Sequence, residues 1–521
     1  MPDHWDIGQR EAWLRDATLT DDLETNIQIT KNLYGNSIDL IIHRFKLGTR
    51  QISGALLCLD GMSNNETIEM LIEKIKIDAI KININQGSGP ALQKILLERL
   101  LTIYKLKEVN GFEELCNSLS SGMTALLFVG SDTAIVCETT GFSQRGIEEP
   151  SAETTIRGPR DGFVENIKTN GSLIRRRIKT PNLWFRVFRL GHLTKTQVAV
   201  AYIKGLASEE LVAEVCSRIE RIETDAILES GYIEDYIEDN PFTLFPLTFR
   251  TEKPDRITSC LLEGKVAIIT DGTPFVLVVP TTFFKLLHAP DDYYEKVPIG
   301  AFIRALRLFS YIASVLLPGA YVAVINFHQE LIPTTLLLRI TASRQGLPFP
   351  IIFEALFIEL AFEVLREAGV RLPRAIGPAI SIVGALVLGE AAIRAGFVSP
   401  VMIIVVALTA IASFTVPVFS IGISGRLLRF GFIILGGVLG LFGIQIGAIL
   451  MMLHLCSLRS FGIPYFSPAG PLIWSEWKDF IFRHWRWGLT TRPKLMGFRE
   501  PIRGEAGLMP GVRHKRRKDD S

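Results

Sequence analysis

Residues 309–327 read FSYIASVLLPGAYVAVINF, nineteen positions without a charged side chain. A helix crossing the hydrocarbon core of a bilayer needs about 20 apolar residues, because the backbone must satisfy its own hydrogen bonds in lipid. Residues 375–393, 400–423 and 430–455 have the same character. Ahead of residue 301, charged and apolar residues alternate as in a water-soluble fold. The expectation is a soluble α/β half followed by an α-helical, multi-pass membrane half.

A fifth apolar stretch, residues 348–366 (PFPIIFEALFIELAFEVLR), carries Glu354, Glu359 and Glu363, with Glu367 just beyond. At 100° per residue Glu359, Glu363 and Glu367 share one face, and Glu354 projects from another. An ionised acid at the bilayer centre costs about 3 kcal/mol on insertion scales, so these side chains do not face lipid. Two arrangements remain: the helix lies at the interface with solvated acids, or its acidic face lines water. In a symmetric oligomer the second gives rings of carboxylates, as cation pores use. Glu390, in GALVLGEAAIRAG, is a lone intramembrane acid that either lines a pathway or snorkels beside Arg394.

In the last run Gly436, Gly440, Gly443 and Gly447 form two GxxxG pairs, the spacing that lets helix backbones approach closely. Pro318 and Pro417 are expected to kink their helices. From residue 467 onward there are 12 Lys and Arg against 6 Asp and Glu. A basic tail and a polar start to the chain both favour the cytoplasm, which requires an even number of crossings. Four spans satisfy this if 348–366 does not cross, but they leave Arg366, Arg371 and Arg374 outside. Five spans bring those arginines inside and put the basic tail outside.

The soluble half divides in two. Helical spacing at 21–35, 64–77, 91–104 and 112–121 alternates with strand-like runs at 37–47, 51–59 and 123–137. A loop at 139–159 follows. The second unit has an expected basic helix at 160–179, strands at 183–190 and 197–204, and helices at 209–222, 231–238 and 254–263. It closes on a hairpin through Asp271-Gly272. The resulting division is 1–138, 139–297, a helical domain over 298–460 and a basic tail over 461–521. No repeat is visible between the two units. Arg157, Arg160 and Asp161 in RGPRDG, with Arg175, Arg176 and Arg177 of the basic helix, are candidates for a cytoplasmic coupling surface.

The chain of 521 residues has a formal net charge of +2, so no overall field points to nucleic acid. Its six cysteines have no CxxC spacing and read as reduced thiols. There is no Walker loop, GxSxG or HExxH. No catalytic, cofactor or metal site is expected, and an enzyme is the least favoured class.

Several stretches carry a resemblance. They are RGPRDGFVENIKTN (157–170), RRRIKTPNL, YIKGLAS, DAILESGYIEDYIED, TEKPDR, EGKVAIITDGTPFVLVVP and DDYY in the soluble half. In the membrane half they are PGAYVAV, FHQELIP, PFPIIFEALFIELAFEVLREAGVRLPRAIG and SIVGALVLGEAAIRAGFVSP. In this order they resemble the A subunits of GerA-type spore germination receptors. Lys253 stands where that pattern has Arg. The resemblance implies a multi-pass protein of the spore inner membrane with a cytoplasmic N-terminal domain of two α/β subdomains. It implies a transporter-like B subunit, a lipoprotein C subunit and membrane lipid as partners. It also implies a homo-oligomeric ring acting as a nutrient-gated channel for monovalent cations. A non-conducting scaffold that relays nutrient binding is the alternative, and an accessory germination paralogue fits the same residues.

Overall fold

The structure is a computed structural model that describes residues 7–47, 51–81, 105–141, 150, 153, 157–371, 389–496, 501–504, 507, 509 and 510. The stretch expected as a helix at 91–104 and most of the apolar run 375–393 lie outside the described residues.

The first unit contains α1 (Ile7–Asp16), α2 (Leu23–Leu33), β1 (Leu40–Leu47), β2 (Ile52–Leu59) and α3 (Asn65–Lys81). It continues through β3 (Leu106–Val109), α4 (Phe112–Ser120), β4 (Thr124–Phe128) and β5 (Ala134–Cys137). The second contains α5 (Ile167–Arg175), β6 (Leu183–Leu190), β7 (Thr196–Ile203), α6 (Glu209–Glu220) and α7 (Ser230–Ile237). Then come β8 (Phe249–Thr251), α8 (Pro254–Leu262), β9 (Val266–Thr270) and β10 (Val276–Val279). The two antiparallel sheets have the orders β1-β2-β4-β5-β3 and β6-β7-β9-β10-β8. They are the same sheet twice.

The repetition extends to single hydrogen bonds. Asn26 is buried; its Nδ2–H donates to the Thr20 carbonyl (2.6 Å) and its Oδ1 accepts the Thr20 N–H (3.0 Å). Asn170 does the same with Val164, at 2.5 and 2.8 Å. The N–H of Gly130 bonds the Asp21 carbonyl, and that of Gly272 the Glu165 carbonyl, both at 2.8 Å. Both glycines have positive φ, 79° and 90°, which lets the hairpin turn tightly. The sequence hides the duplication because the shared Asn and Gly are single positions and the apolar alternation between them is carried on different side chains.

Asp22 caps α2, its Oδ2 accepting the Thr25 N–H at 3.1 Å. Two local expectations change. The basic helix is only Ile167–Arg175; residues 160–166 precede it and Asn166 caps it. The edge strands β3 and β8 were not expected; at four and three residues they are too short for a period-2 pattern.

Both faces of each sheet are covered. Val198, Val200 and Tyr202 pack on one side of the second sheet, and Ala199, Ala201 and Ile203 on the other. That second face continues through Phe245, Phe283 and Phe284 to Tyr311, Ile421 and Leu455 of the helical module.

After α9 (Phe283–Leu287) and α10 (Asp291–Tyr294), the helical module comprises α11 (Val297–Phe327), α12 (Thr334–Arg344), α13 (Ile351–Arg371), α14 (Pro400–Phe414) and α15 (Phe419–Ser457). By length and composition α11 and α15 are each apolar and long enough to cross a membrane. The expected single run 400–423 is two helices, parted around Pro417.

α15 is a hairpin. Gly440 has φ 64° and ψ −150°, a conformation essentially confined to glycine. A straight helix would hold residues 424 and 454 about 45 Å apart. Instead Ser424 Oγ donates to the Leu244 carbonyl, and His454 Nε2 lies 2.9 Å from Thr243 Oγ1. The two halves, about 30 and 25 Å long at 1.5 Å per residue, therefore start and finish at the soluble domain.

The glycines expected to serve inter-helix packing divide accordingly. A Cβ at Gly436 would meet the Gly319 carbonyl of α11. Gly443 and Gly447 let the returning half lie against Leu435 and Phe432 of the rising half. Gly440 makes the bend. After it, β11 (Arg459–Ser460) and β12 (Ile463–Pro464) form a small ribbon against the second sheet, and the Phe283 N–H donates to the Tyr465 carbonyl at 2.9 Å.

Candidate functional site

Most of the charged residues around α13 are paired with one another. α13 is amphipathic in the inverted sense. Its apolar Phe353, Phe357, Leu360 and Val364 point outward at 53–62% exposure, while Glu354 and Glu359 are 1% and 3% exposed. Glu354 and Glu359 therefore face inward and are not solvated.

Each acid has an arginine. Glu354 Oε2 pairs with Arg344 (2.9 Å) at the end of α12, and its Oε1 accepts the Ser399 N–H (2.6 Å) at the start of α14. Glu359 Oε2 pairs with Arg429 of α15 at 2.8 Å. Glu363 pairs with Arg426 at 2.9 Å and with Arg366 on its own helix at 3.4 Å. Arg366 also donates to Ser413 Oγ of α14 at 3.2 Å, and its guanidinium lies 4.9 Å from the Phe414 ring centre. Glu390 pairs with Arg394 at 2.5 Å on an exposed surface, apart from this set. Within one chain, then, the carboxylates of α13 are already counter-charged. Sequence spacing could not show this, because Arg426 and Arg429 sit more than 60 residues away.

Arg429 has a second contact with a local cause. Pro318 has no N–H, so the Ser314 carbonyl four residues earlier lacks its helical donor. The Arg429 Nε–H fills that place at 2.6 Å. One guanidinium thus joins α11, α13 and α15. These contacts also fix directions. α11 and the rising half of α15 run parallel, with Gly425 at Tyr311 and Gly440 at Phe327. α13 runs antiparallel to them, with Ile352 at Gly437 and Glu363 at Arg426. α14 follows α13, since Ser399 meets Glu354 and Ser413 meets Arg366.

The module is anchored to the second α/β unit through the segment after α7. Asp239 Oδ2 accepts the Phe461 N–H (2.5 Å), and Ser460 Oγ donates to the Leu247 carbonyl (2.7 Å). With the contacts of Thr243 and Leu244, one short loop holds both ends of the α15 hairpin. Below it Glu238 is pushed up to about 7, first by burial and then by the neighbouring Glu234 carboxylate. At the base of α11, buried Arg307 grips Asp292 at 2.8 and 3.0 Å, and Arg304 pairs with Asp479 at 2.9 Å. Glu263 is held at about 2; burial opposes its ionisation, but Lys285, Lys265 and Arg503 outweigh it.

The candidate coupling surface is only partly a surface. Arg175 is 1% exposed and joins the two α/β units, donating from Nε (3.0 Å) and Nη2 (2.6 Å) to Asp39 Oδ2 and lying over the Tyr34 and Phe185 rings. Asp39 and Arg175 are 136 residues apart in the chain, and only the packing of the two units against each other removes Arg175 from the surface. Arg177 is half-buried and pairs with Asp161 at 2.5 Å. Arg157 reaches Glu295 at 3.8 Å, Arg160 is exposed and Arg176 is half-buried. A cavity of about 270 Å³ opens at the same junction, lined in part by Asp39, Asp60, Lys168 and Ser172. Among the described residues no three His, Cys, Asp or Glu side chains are grouped as metal ligands. Five of the six cysteines are buried, and burial pushes Cys116 and Cys137 up to about 12.

The family model of the Bacillus/Clostridium GerA spore germination protein matches residues 28–495. The chain belongs to this GerA family. It is 46% identical to spore germination protein KA of Bacillus subtilis (strain 168), over 94% of this chain and 89% of that protein. It is 36% identical to spore germination protein GerLA of Bacillus cereus, over 89% of this chain and 93% of that one. The crystal structure of the N-terminal domain of the A subunit of the Bacillus megaterium spore germinant receptor GerK3 aligns with 51% of this chain and 98% of its own. Its TM-score is 0.41 and its identity 33%. Lys253, where the family pattern led us to expect Arg, is buried at the start of α8.

Proposed function

We propose that this GerA-family chain is the membrane subunit of a nutrient germinant receptor and that its helical module forms part of a path for monovalent cations. The inverted α13 carries the reading: an apolar outer face and buried glutamates suit a helix with lipid on one side and a charged interior on the other. The contacts also favour an even topology. α11 rises from the soluble domain, α13 and α14 each descend, and α15 rises and returns. The start of α11 and the end of α15 therefore both lie at the soluble domain, which leaves both soluble parts on one side. On the family resemblance that side is the cytoplasm, the membrane is the inner membrane of the spore, and the partners are a transporter-like B subunit, a lipoprotein C subunit and further copies of this chain in a ring.

The test is potassium flux through the assembled receptor in liposomes. Glu359→Gln and Glu363→Gln should weaken the flux or change its selectivity while the mass of the assembly in nanodiscs stays that of the wild type. Unchanged flux in both variants removes these acids from the path. The alternative is a non-conducting scaffold that relays nutrient binding through its soluble half. It draws support from the loop that grips both ends of α15, and a one-to-one complex with the B subunit, without a ring, would favour it.

A further inference from the structure

The Glu359–Arg429 pair is buried but incompletely bonded. Each side chain is 4% exposed, yet Glu359 Oε1 and Arg429 Nη2 have no hydrogen-bond partner. A buried ion pair is secure only when its remaining polar atoms are also satisfied. The surrounding set holds three arginines (Arg366, Arg426 and Arg429) against two glutamates (Glu359 and Glu363), so in this arrangement it repels cations.

The spacing of the charges offers a second register. Along antiparallel helices the pairs are Glu359 with Arg429 and Glu363 with Arg426, and the next acid on α13 is Glu367. Glu367 is held only by Arg371 on an exposed surface, at 2.7 Å. If α15 slides by one helical turn, about 5.4 Å, toward the soluble domain, Arg429 meets Glu363 and Arg426 meets Glu367. Both arginines keep a carboxylate and Glu359 alone is released. The soluble domain is placed to drive such a slide, since the loop at residues 239–247 holds both ends of α15.

We propose that Arg429 is a positioning residue that closes the path by occupying Glu359, and that opening is a one-turn slide of α15 against α13 that hands Arg429 to Glu363 and leaves Glu359 as the cation-attracting carboxylate. The inference rests on the channel reading and adds its gate. The carbonyl left open by Pro318 is the anchor that holds Arg429 in the closed register.

The experiment uses the full receptor in potassium-loaded liposomes, with and without a mixture of amino acids, sugars and nucleosides. Arg429→Gln should raise efflux without nutrient about tenfold, toward the lower range of energetic coupling between sites. Adding Glu359→Gln to it should abolish that leak. An Arg429→Gln receptor of wild-type mass that stays as tight as the wild type overturns the proposal. If this variant does not assemble, the pair Ile352→Cys/Gly437→Cys decides. An ideal Cβ at Gly437 lies 3.1 Å from Ile352 Cβ, a few tenths of an ångström short of the roughly 3.5–4.5 Å of a disulfide, so a small outward shift lets the two thiols bridge in the closed register. The oxidised pair should lose nutrient-triggered flux and regain it on reduction; full triggered flux in the oxidised state overturns the slide. A wild type that conducts nothing with nutrient removes the channel reading and the proposal together. A conducting wild type beside a tight Arg429→Gln removes only the proposal.

Discussion

The two α/β repeats share a strand order, an asparagine clamp and a glycine hairpin, yet they are used differently. The second repeat holds the helical module and the C-terminal segment, through Asp239, Thr243, Leu244 and Leu247 at one end and Arg304, Arg307 and Asp292 at the base of α11. The first repeat meets the second, through Arg175 to Asp39, Trp184 Nε1–H to the Leu33 carbonyl and the Phe185 N–H to Ser37 Oγ. The shared framework therefore sets shape, and the parts that differ set connection. The segment from Asp239 to Leu247 is the clearest of these, lying between α7 and the short edge strand β8. Its backbone carbonyls and side chains reach Ser424, His454, Ser460 and Phe461.

The largest effect should come from breaking the link between the repeats. Arg175→Ala leaves Asp39 without its partner at a buried junction, and loss of one member of a buried pair costs about 3–5 kcal/mol. Thermal unfolding of the full-length protein should shift down and separate into two transitions, one for each repeat. A single unshifted transition would mean that the repeats are held by other contacts.

The equivalence of the repeats can be tested next. Asn26→Ala and Asn170→Ala each remove two hydrogen bonds, to the N–H and carbonyl of Thr20 or of Val164, at about 0.5–1.5 kcal/mol per bond. Both variants should lose stability by similar amounts in chemical denaturation. A large loss at one site and none at the other would show that the shared geometry does not carry shared energetics.

The smallest effect is a difference in pH response, since the two strongly shifted acids of the soluble half both lie in the second repeat. Glu238 is raised from its usual 4.5 to about 7, so the folded state holds its proton more tightly than the unfolded chain. Its contribution is full below pH 4.5 and is lost as pH rises to 7. Glu263 is lowered to about 2, so its contribution is present above pH 4.5 and is lost as pH falls toward 2. Glu238→Gln should flatten the fall in stability between pH 4.5 and 7, and Glu263→Gln the loss below 4.5. Unaltered pH profiles would place these shifts outside the stability of the domain.

Much of the architecture was legible in the chain. The passage from the α/β repeats to the apolar helices follows from where charges stop. Most strands and helices of both repeats follow from apolar period and turn residues, as at Asp271-Gly272. The acids of α13 stood out because buried charge is costly, and Glu354 and Glu359 are indeed buried. Their partners were not legible, since spacing along one helix says nothing about which distant arginine faces it. Tertiary structure alone decided that Arg175 is an internal bridge, that Gly440 bends α15 back on itself and that Pro318 opens a carbonyl for Arg429. The physical reason is common to all three. Local sequence fixes which backbone and side-chain groups need a partner, and only the packing of remote segments supplies it.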